Sequence, residues 1–114
     1  MSLHCIFCRI AAKEVTSAIV YEDDDVVAFR DLSPQAPTHV LVIPRRHVAS
    51  LDDMVSSDAA LLGVMVLAAQ SVAAAAGLAA GYRVVINCGV SAGQSVSHVH
   101  LHLLGGRPMA WPPG

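Results

Sequence analysis

The chain has 114 residues, of which 54% are hydrophobic and 14% charged, with seven Lys+Arg against nine Asp+Glu. That is enough apolar material for one domain over residues 1–114 and too little length for two, and it excludes general disorder. A formal net charge of −2 argues against a nucleic-acid polymer as ligand, because such binders usually present a basic surface.

The N-terminus, Met1-Ser2-Leu3-His4-Cys5, lacks a basic region followed by an apolar run, so no secretory signal is expected. Three Cys and six His in such a chain favour thiols or a metal over a disulfide framework, and suggest the cytoplasm. Residues 5–12 predict a short helix or turn. Residues 19–22 and 26–31 are strand-like runs split by Asp23-Asp24-Asp25, expected as a solvated hairpin turn rather than a cation site. Ser33-Pro34-Gln35-Ala36-Pro37 is a rigid loop, since proline cannot donate to a ladder. The β-branched run 39–44 predicts a strand.

Asp58 is the expected N-cap of a long helix, with Gly77 or Gly81 as its stop. Leu61, Met65, Ala68 and Val72 keep helical spacing. No charge interrupts residues 59–76, but the run is rich in Ala and broken by Gly63, Gln70 and Ser71, so a core helix is expected and no membrane span. Its back, at Gly63, Leu67, Gln70 and Ala74, is also uncharged. A helix without a charged face packs on two sides, and a symmetric homodimer is the expected cover for the second. A strand over 82–87, a flexible loop over 89–95, a last strand over 98–104 and a tail over 105–114 follow. The order β-β-β-α-β-β predicts an α+β fold with a five-stranded, mainly antiparallel sheet, one long helix and a short N-terminal helix.

Chemistry concentrates in His98-Val99-His100-Leu101-His102, which holds half of the chain's histidines. Strand alternation puts His98, His100 and His102 on one face and Val99, Leu101 and Leu103 on the other. Such a row suits a histidine nucleophile with acid–base help, and equally a metal. Cys5-Ile6-Phe7-Cys8 is a second constellation. With so little chain before it, a redox motif is disfavoured, and zinc needs two further ligands. Arg45, Arg46 and Arg107 are expected as solvated surface arginines, and Cys88 as a plain small residue.

The segment from Gln94-Ser95-Val96-Ser97 through the three histidines to Leu103-Leu104-Gly105-Gly106-Arg107 resembles the histidine-triad signature. The run from Asp31-Leu32-Ser33-Pro34 through Thr38-His39-Val40 to Ile43-Pro44 matches the same superfamily, and the ending Trp111-Pro112-Pro113-Gly114 resembles its Hint branch, the histidine triad nucleotide-binding proteins. The resemblance implies a HIT-like fold and a nucleoside phosphoramidase or nucleotidyl hydrolase acting on purine nucleoside 5′-monophosphate conjugates. In it His100 attacks phosphorus to form a nucleotidyl-histidine, His102 touches the phosphate, and His39 completes the proton network. Asp31 meets the ribose, Leu32, Phe7 and Ile43 form the slot for the base, Gln94 and Ser95 meet the phosphate or leaving group, the Gly93-Gln94-Ser95 turn offers backbone N–H donors to the phosphate, and Asn87 is a further candidate polar contact. Relatives with the cysteine pair imply a structural zinc on Cys5, Cys8, His47 and His98, and the homodimer has its tail crossing to the second copy. Ser97, Pro108 and Ala110 depart from residues common in close relatives, which bears on leaving-group preference. The rival functions are a dinucleoside polyphosphate hydrolase of the Fhit branch, against which the Trp-Pro-Pro-Gly ending argues, and a non-catalytic nucleotide-sensing or zinc-dependent interaction protein.

Overall fold

Two short runs, Ile19–Glu22 (β1) and Val26–Arg30 (β2), meet across the acidic turn in a computed structural model that describes residues 4–114. Met1, Ser2 and Leu3, part of the segment searched for a secretory signal, lie outside the described residues. Asp23 makes the turn. Its Oδ1 accepts the N–H groups of Asp25 and Val26 at 2.8 and 2.9 Å, and its Oδ2 accepts the Tyr21 hydroxyl at 2.9 Å. The carboxylate thus serves its own backbone, as Asp does in Asx turns.

Thr38–Pro44 (β3), Tyr82–Val85 (β4) and Leu101–Gly105 (β5) complete a five-stranded sheet in the order β1-β2-β3-β5-β4, every neighbouring pair antiparallel. Alternation sorts the strand residues into two cores. Val26, Ala28, Val40, Val42, Val99, Leu101 and Leu103 pack with Met65, Ala68, Ala69 and Val72 of the long helix Ala59–Ala75 (α2). Val27, Phe29, Leu41 and Ile43 pack with Phe7, Cys8 and Ile10 of the short helix Ile6–Ala11 (α1). With both faces covered, β2 and β3 are buried over almost their whole length, which is why they read as continuous apolar runs.

The last strand starts later than the expected residue 98. Pro44 ends the partner strand and offers no N–H. The backbone before Leu101 bonds elsewhere: Val99 N–H goes to the Val48 carbonyl at 2.7 Å, and the His98 carbonyl accepts a histidine ring nitrogen. The alternation of side chains nevertheless persists through residues 98–100. The register also stops β4 early, since Asn87 would face His100, already outside the ladder. Asp31 N–H still reaches the His39 carbonyl, but its carboxylate turns the chain by accepting Ser33 N–H at 2.7 Å.

Asp58 occupies the N-cap position of α2, yet its carboxylate faces backwards, accepting Val55 N–H at 2.9 Å and pairing with Arg46. Residues Ser56–Ala75 are long and apolar enough to cross a membrane, by length and composition. In the fold one side of α2 lies on the sheet while Leu67, at 60% exposure, Gly63, Gln70 and Ala74 face outward. The helix ends before Gly77, with Leu78 N–H returning to the Ala73 carbonyl at 3.0 Å. Arg45 is no solvated arginine. It donates to the Asp23 and Ala11 carbonyls and to Glu22, tying the end of α1 to the β1–β2 turn.

Candidate active site and metal centre

Cys5 caps α1, its Sγ accepting Cys8 N–H at 3.4 Å, so one helical turn brings both sulfurs to the same place. His47, just after β3, and His98, just before β5, arrive there from the sheet. The Cys5 sulfur lies 3.3 Å from His98 Nδ1, the Cys8 sulfur 3.4 Å from His47 Nδ1 and 3.6 Å from His98 Nδ1, and the two nitrogens 3.2 Å apart. A tetrahedral zinc with bonds of about 2.0–2.1 Å to nitrogen and about 2.3 Å to sulfur has N···N edges of about 3.3 Å and N···S edges of about 3.6 Å. These four edges match that tetrahedron, and all four ligating atoms lie within 4.8 Å of one another. His98 Nε2 donates to the Pro44 carbonyl at 2.8 Å, which leaves the Nδ1 lone pair aimed into the cluster. Burial lowers the pKa of His98, with the bond to Pro44 opposing. Its ring stays neutral, as a metal ligand must be.

His100 lies on the same face, and Phe7 connects the two sites. The Phe7 ring, set between the two cysteines in sequence, meets His98 and His100 edge-on with centroids at 5.9 and 5.1 Å. His100 Nδ1 lies 2.8 Å from the His98 carbonyl. A carbonyl only accepts, so Nδ1 carries the proton and Nε2 keeps the lone pair.

The other two histidines form a chain whose proton positions follow in the same way. Gln35 N–H donates to His39 Nδ1 at 3.0 Å, so the His39 proton sits on Nε2. His39 Nε2 is 2.9 Å from His102 Nδ1, which must accept, so the His102 proton sits on its own Nε2. Burial, then the imidazoles of His100 and His39, pushes the pKa of His102 down to about 4, against the pull of Asp31. Burial also lowers that of His39, again opposed by Asp31. Both rings are neutral at pH 7. Asp31, His39 and His102 could by distance hold a metal. A metal on His39 Nε2 would have to displace the proton that Gln35 keeps there. The arrangement instead leaves a lone pair on His100 Nε2 and an N–H on His102 Nε2 in neighbouring rings whose centroids are 5.1 Å apart.

A family model for the HIT domain matches residues 12–109. The chain belongs to the HIT family. It is 51% identical over 111 residues to a 14 kDa zinc-binding protein of Zea mays, covering 96% of this chain and 87% of that protein. A HIT family hydrolase from Legionella pneumophila has the same fold with a TM-score of 0.95 and 49% identity, covering 97% of this chain and all of that one. A histidine triad nucleotide-binding protein from Candida albicans superposes with a TM-score of 0.80 and 31% identity, covering 95% of this chain and 82% of that one.

Around the triad of this HIT domain, the expected contact residues divide. Asp31 stands beside His39, its Oδ2 3.6 Å from His39 Nε2, while its Oδ1 is taken by Ser33. Leu32 is wholly exposed, Phe7 is buried and Ile43 is completely buried, so these three form no open slot together. Ile43 offers no surface to a ligand and shares the α1 core with Phe7. Gln94 is committed within its loop. Its Oε1 accepts Gly89 N–H at 2.9 Å and its Nε2 donates to the Ala49 and Val96 carbonyls, so the amide shapes the loop from inside. Gly93 adopts a left-handed conformation at φ 93° beside Asn87, and Ser95 is exposed on the same loop.

Three determinants of the site are main-chain groups: the Gln35 N–H, the Pro44 carbonyl and the His98 carbonyl. A residue-type pattern carries no sign of them. The rigid proline-flanked loop at 33–37 and the proline that ends β3 were the only available hints.

Proposed function

We propose that the chain is a nucleotidyl hydrolase that cleaves purine nucleoside 5′-monophosphate conjugates, phosphoramidates foremost, through a nucleotidyl-histidine at His100. The observation that carries this is the 2.8 Å bond from His100 Nδ1 to the His98 carbonyl, which leaves Nε2 as a lone-pair nitrogen. On attack by Nε2 at phosphorus, the P–N bond breaks with its electron pair on nitrogen, which leaves as an amine after taking a solvent proton. The imidazole of the intermediate is cationic, and the His98 carbonyl faces its remaining N–H. The His102 Nε2–H is a fixed donor for the phosphoryl oxygens, and the Gly93-Gln94-Ser95 loop adds backbone donors. Water then attacks the same phosphorus, releases the mononucleotide and restores the His100 lone pair. Acid quenching during turnover of an adenosine phosphoramidate, followed by mass spectrometry, tests the assignment. An adenylyl group on His100 is expected; steady turnover with no adduct on any histidine would overturn it.

The donor set and edge lengths of the Cys5, Cys8, His47 and His98 cluster fit zinc. Bound there, zinc would be structural: four protein ligands leave no position for water. It would tie α1, and with it Phe7, to the chain flanking β3 and β5. Cys5, Cys8 and Cys88 form no disulfide, which fits a reducing compartment such as the cytoplasm.

The outward side of α2, with Val66 and Leu67, and the unpaired edge of β4, with exposed Tyr82 and Val84, support a two-fold homodimer. Leu67→Glu is expected to lower the mass seen by light scattering from two chains to one. A wild-type monomer at micromolar concentration would refute the dimer.

A further inference from the structure

The register of β3 against β5 pairs Thr38 with Gly105, so the chain leaving β5 runs beside the loop that enters β3. Contact there is close. A Cβ on Gly106, whose φ is +88°, would come 2.9 Å from the Pro37 side chain. One residue later, Arg107 Nε donates to the Gln35 carbonyl at 3.1 Å, while its Nη1 donates to the Pro108 carbonyl at 3.0 Å. The guanidinium thus grips the tail with one nitrogen and the loop with another, a double contact that the single ammonium of lysine reproduces poorly. The residue it grips is Gln35, whose N–H decides which nitrogen of His39 carries the proton.

We infer that Arg107 is a positioning residue for the reaction: through the main chain of Gln35 it holds His39 in the tautomer that makes His102 a phosphate donor. The chain of bonds is Arg107 Nε–H to the Gln35 carbonyl, Gln35 N–H to His39 Nδ1, and His39 Nε2–H to His102 Nδ1. The carbonyl and N–H of Gln35 belong to the two peptide units flanking one Cα and are joined only through its φ and ψ, and Pro34 and Pro37 on either side stiffen the loop that carries both. If the loop turns its N–H away, His39 is free to move its proton to Nδ1 and present a lone pair to His102. His102 must then protonate its own Nδ1 to keep that bond, and its Nε2–H is lost.

The consequence for rate rests on the hydrolase proposed above, but the tautomers can be observed without substrate. In neutral imidazole, protonated and unprotonated ring nitrogens resonate far apart in 15N NMR. The wild type is expected to show His39 and His102 both protonated at Nε2, and Arg107→Ala to shift both rings toward a tautomer mixture. Arg107→Lys should restore the wild-type pattern in part. With an adenosine phosphoramidate, kcat of Arg107→Ala should fall about tenfold at nearly constant KM, a fraction of the hundredfold or more that losing a preorganised donor to the reacting oxygens costs. Arg83→Ala serves as the tail control, because Arg83 holds the Ala110 carbonyl further along at 2.8 Å. Unchanged His39 and His102 resonances in Arg107→Ala, or an equal shift in Arg83→Ala, would overturn the role of Arg107. Altered tautomers in a protein that turns over no phosphoramidate would instead leave Arg107 in place and remove the proposed substrate.

Discussion

The two polar clusters on the α1 face of the sheet are built from the same kind of residue and do opposite things with it. Cys5, Cys8, His47 and His98 bring their ligating atoms within 4.8 Å of one another, and so do Asp31, His39 and His102. What separates them is the backbone group that meets the far nitrogen of one ring in each, His98 in the first and His39 in the second. At His98 that group is the Pro44 carbonyl, which takes the proton and frees a lone pair for the cluster. At His39 it is the Gln35 N–H, which takes the lone pair and sends the proton toward His102. A histidine cluster is therefore suited to a metal or to a proton chain according to whether the backbone behind it accepts or donates. Composition and spacing alone do not distinguish the cases.

The most severe way to break this comparison is at His100, which touches both clusters through the His98 carbonyl and the His102 ring. His100→Asn is expected to lower kcat by about a thousandfold or more, as removing a nucleophile does, while nucleotide binding measured by calorimetry stays close to wild type. Retained turnover would show that the nucleophile is elsewhere.

Metal content sharpens the contrast directly. Elemental analysis should find one zinc per chain in the wild type and in His39→Asn, and none in Cys8→Ser. Losing the metal should lower stability by about 3–5 kcal/mol, roughly 10 °C or more in Tm, less than in a zinc finger because two cores remain. Two zinc ions per wild-type chain, with one lost in His39→Asn, would erase the distinction between the clusters.

Acid should act on the proton chain through His102. Its pKa is about 4 when folded and about 6.5 when unfolded, so between these values the unfolded state binds the proton and the folded state does not. Stability is therefore full above pH 6.5 and falls as pH drops toward 4, by up to about 3 kcal/mol from this ring. Urea unfolding from pH 7 to 4.5 should give a shallower slope in His102→Asn than in the wild type. Equal slopes would remove His102 as the source. The smallest effect is expected at the bridge between the clusters. Phe7→Leu should cost about 1 kcal/mol and slow turnover a few-fold, with zinc retained, since it keeps an apolar side chain of similar volume and removes the ring contacts with Phe29, His98 and His100. Loss of zinc in this variant would make Phe7 part of the metal centre's support.

The sequence by itself determined the layers, the strands and the residues that carry chemistry. Apolar periodicity of 2 and of 3.6 residues dictates which faces must be buried, and the alternation 98–102 already separates histidines from core residues. The spacing of Cys5 and Cys8 puts both sulfurs on one helical turn. Tertiary structure decided the rest, because it depends on main-chain groups brought together from distant positions. Only the fold sets Pro44 behind His98 and Gln35 behind His39, and so leaves a lone pair facing the first cluster and a proton facing His102 in the second. It also turned Ile43 into a core residue and the Gln94 side chain into a brace for its loop. Arg107 looks in the sequence like one more surface charge. The β3–β5 register gives it the Gln35 carbonyl as a partner, and every peptide carries such a carbonyl whatever its side chain.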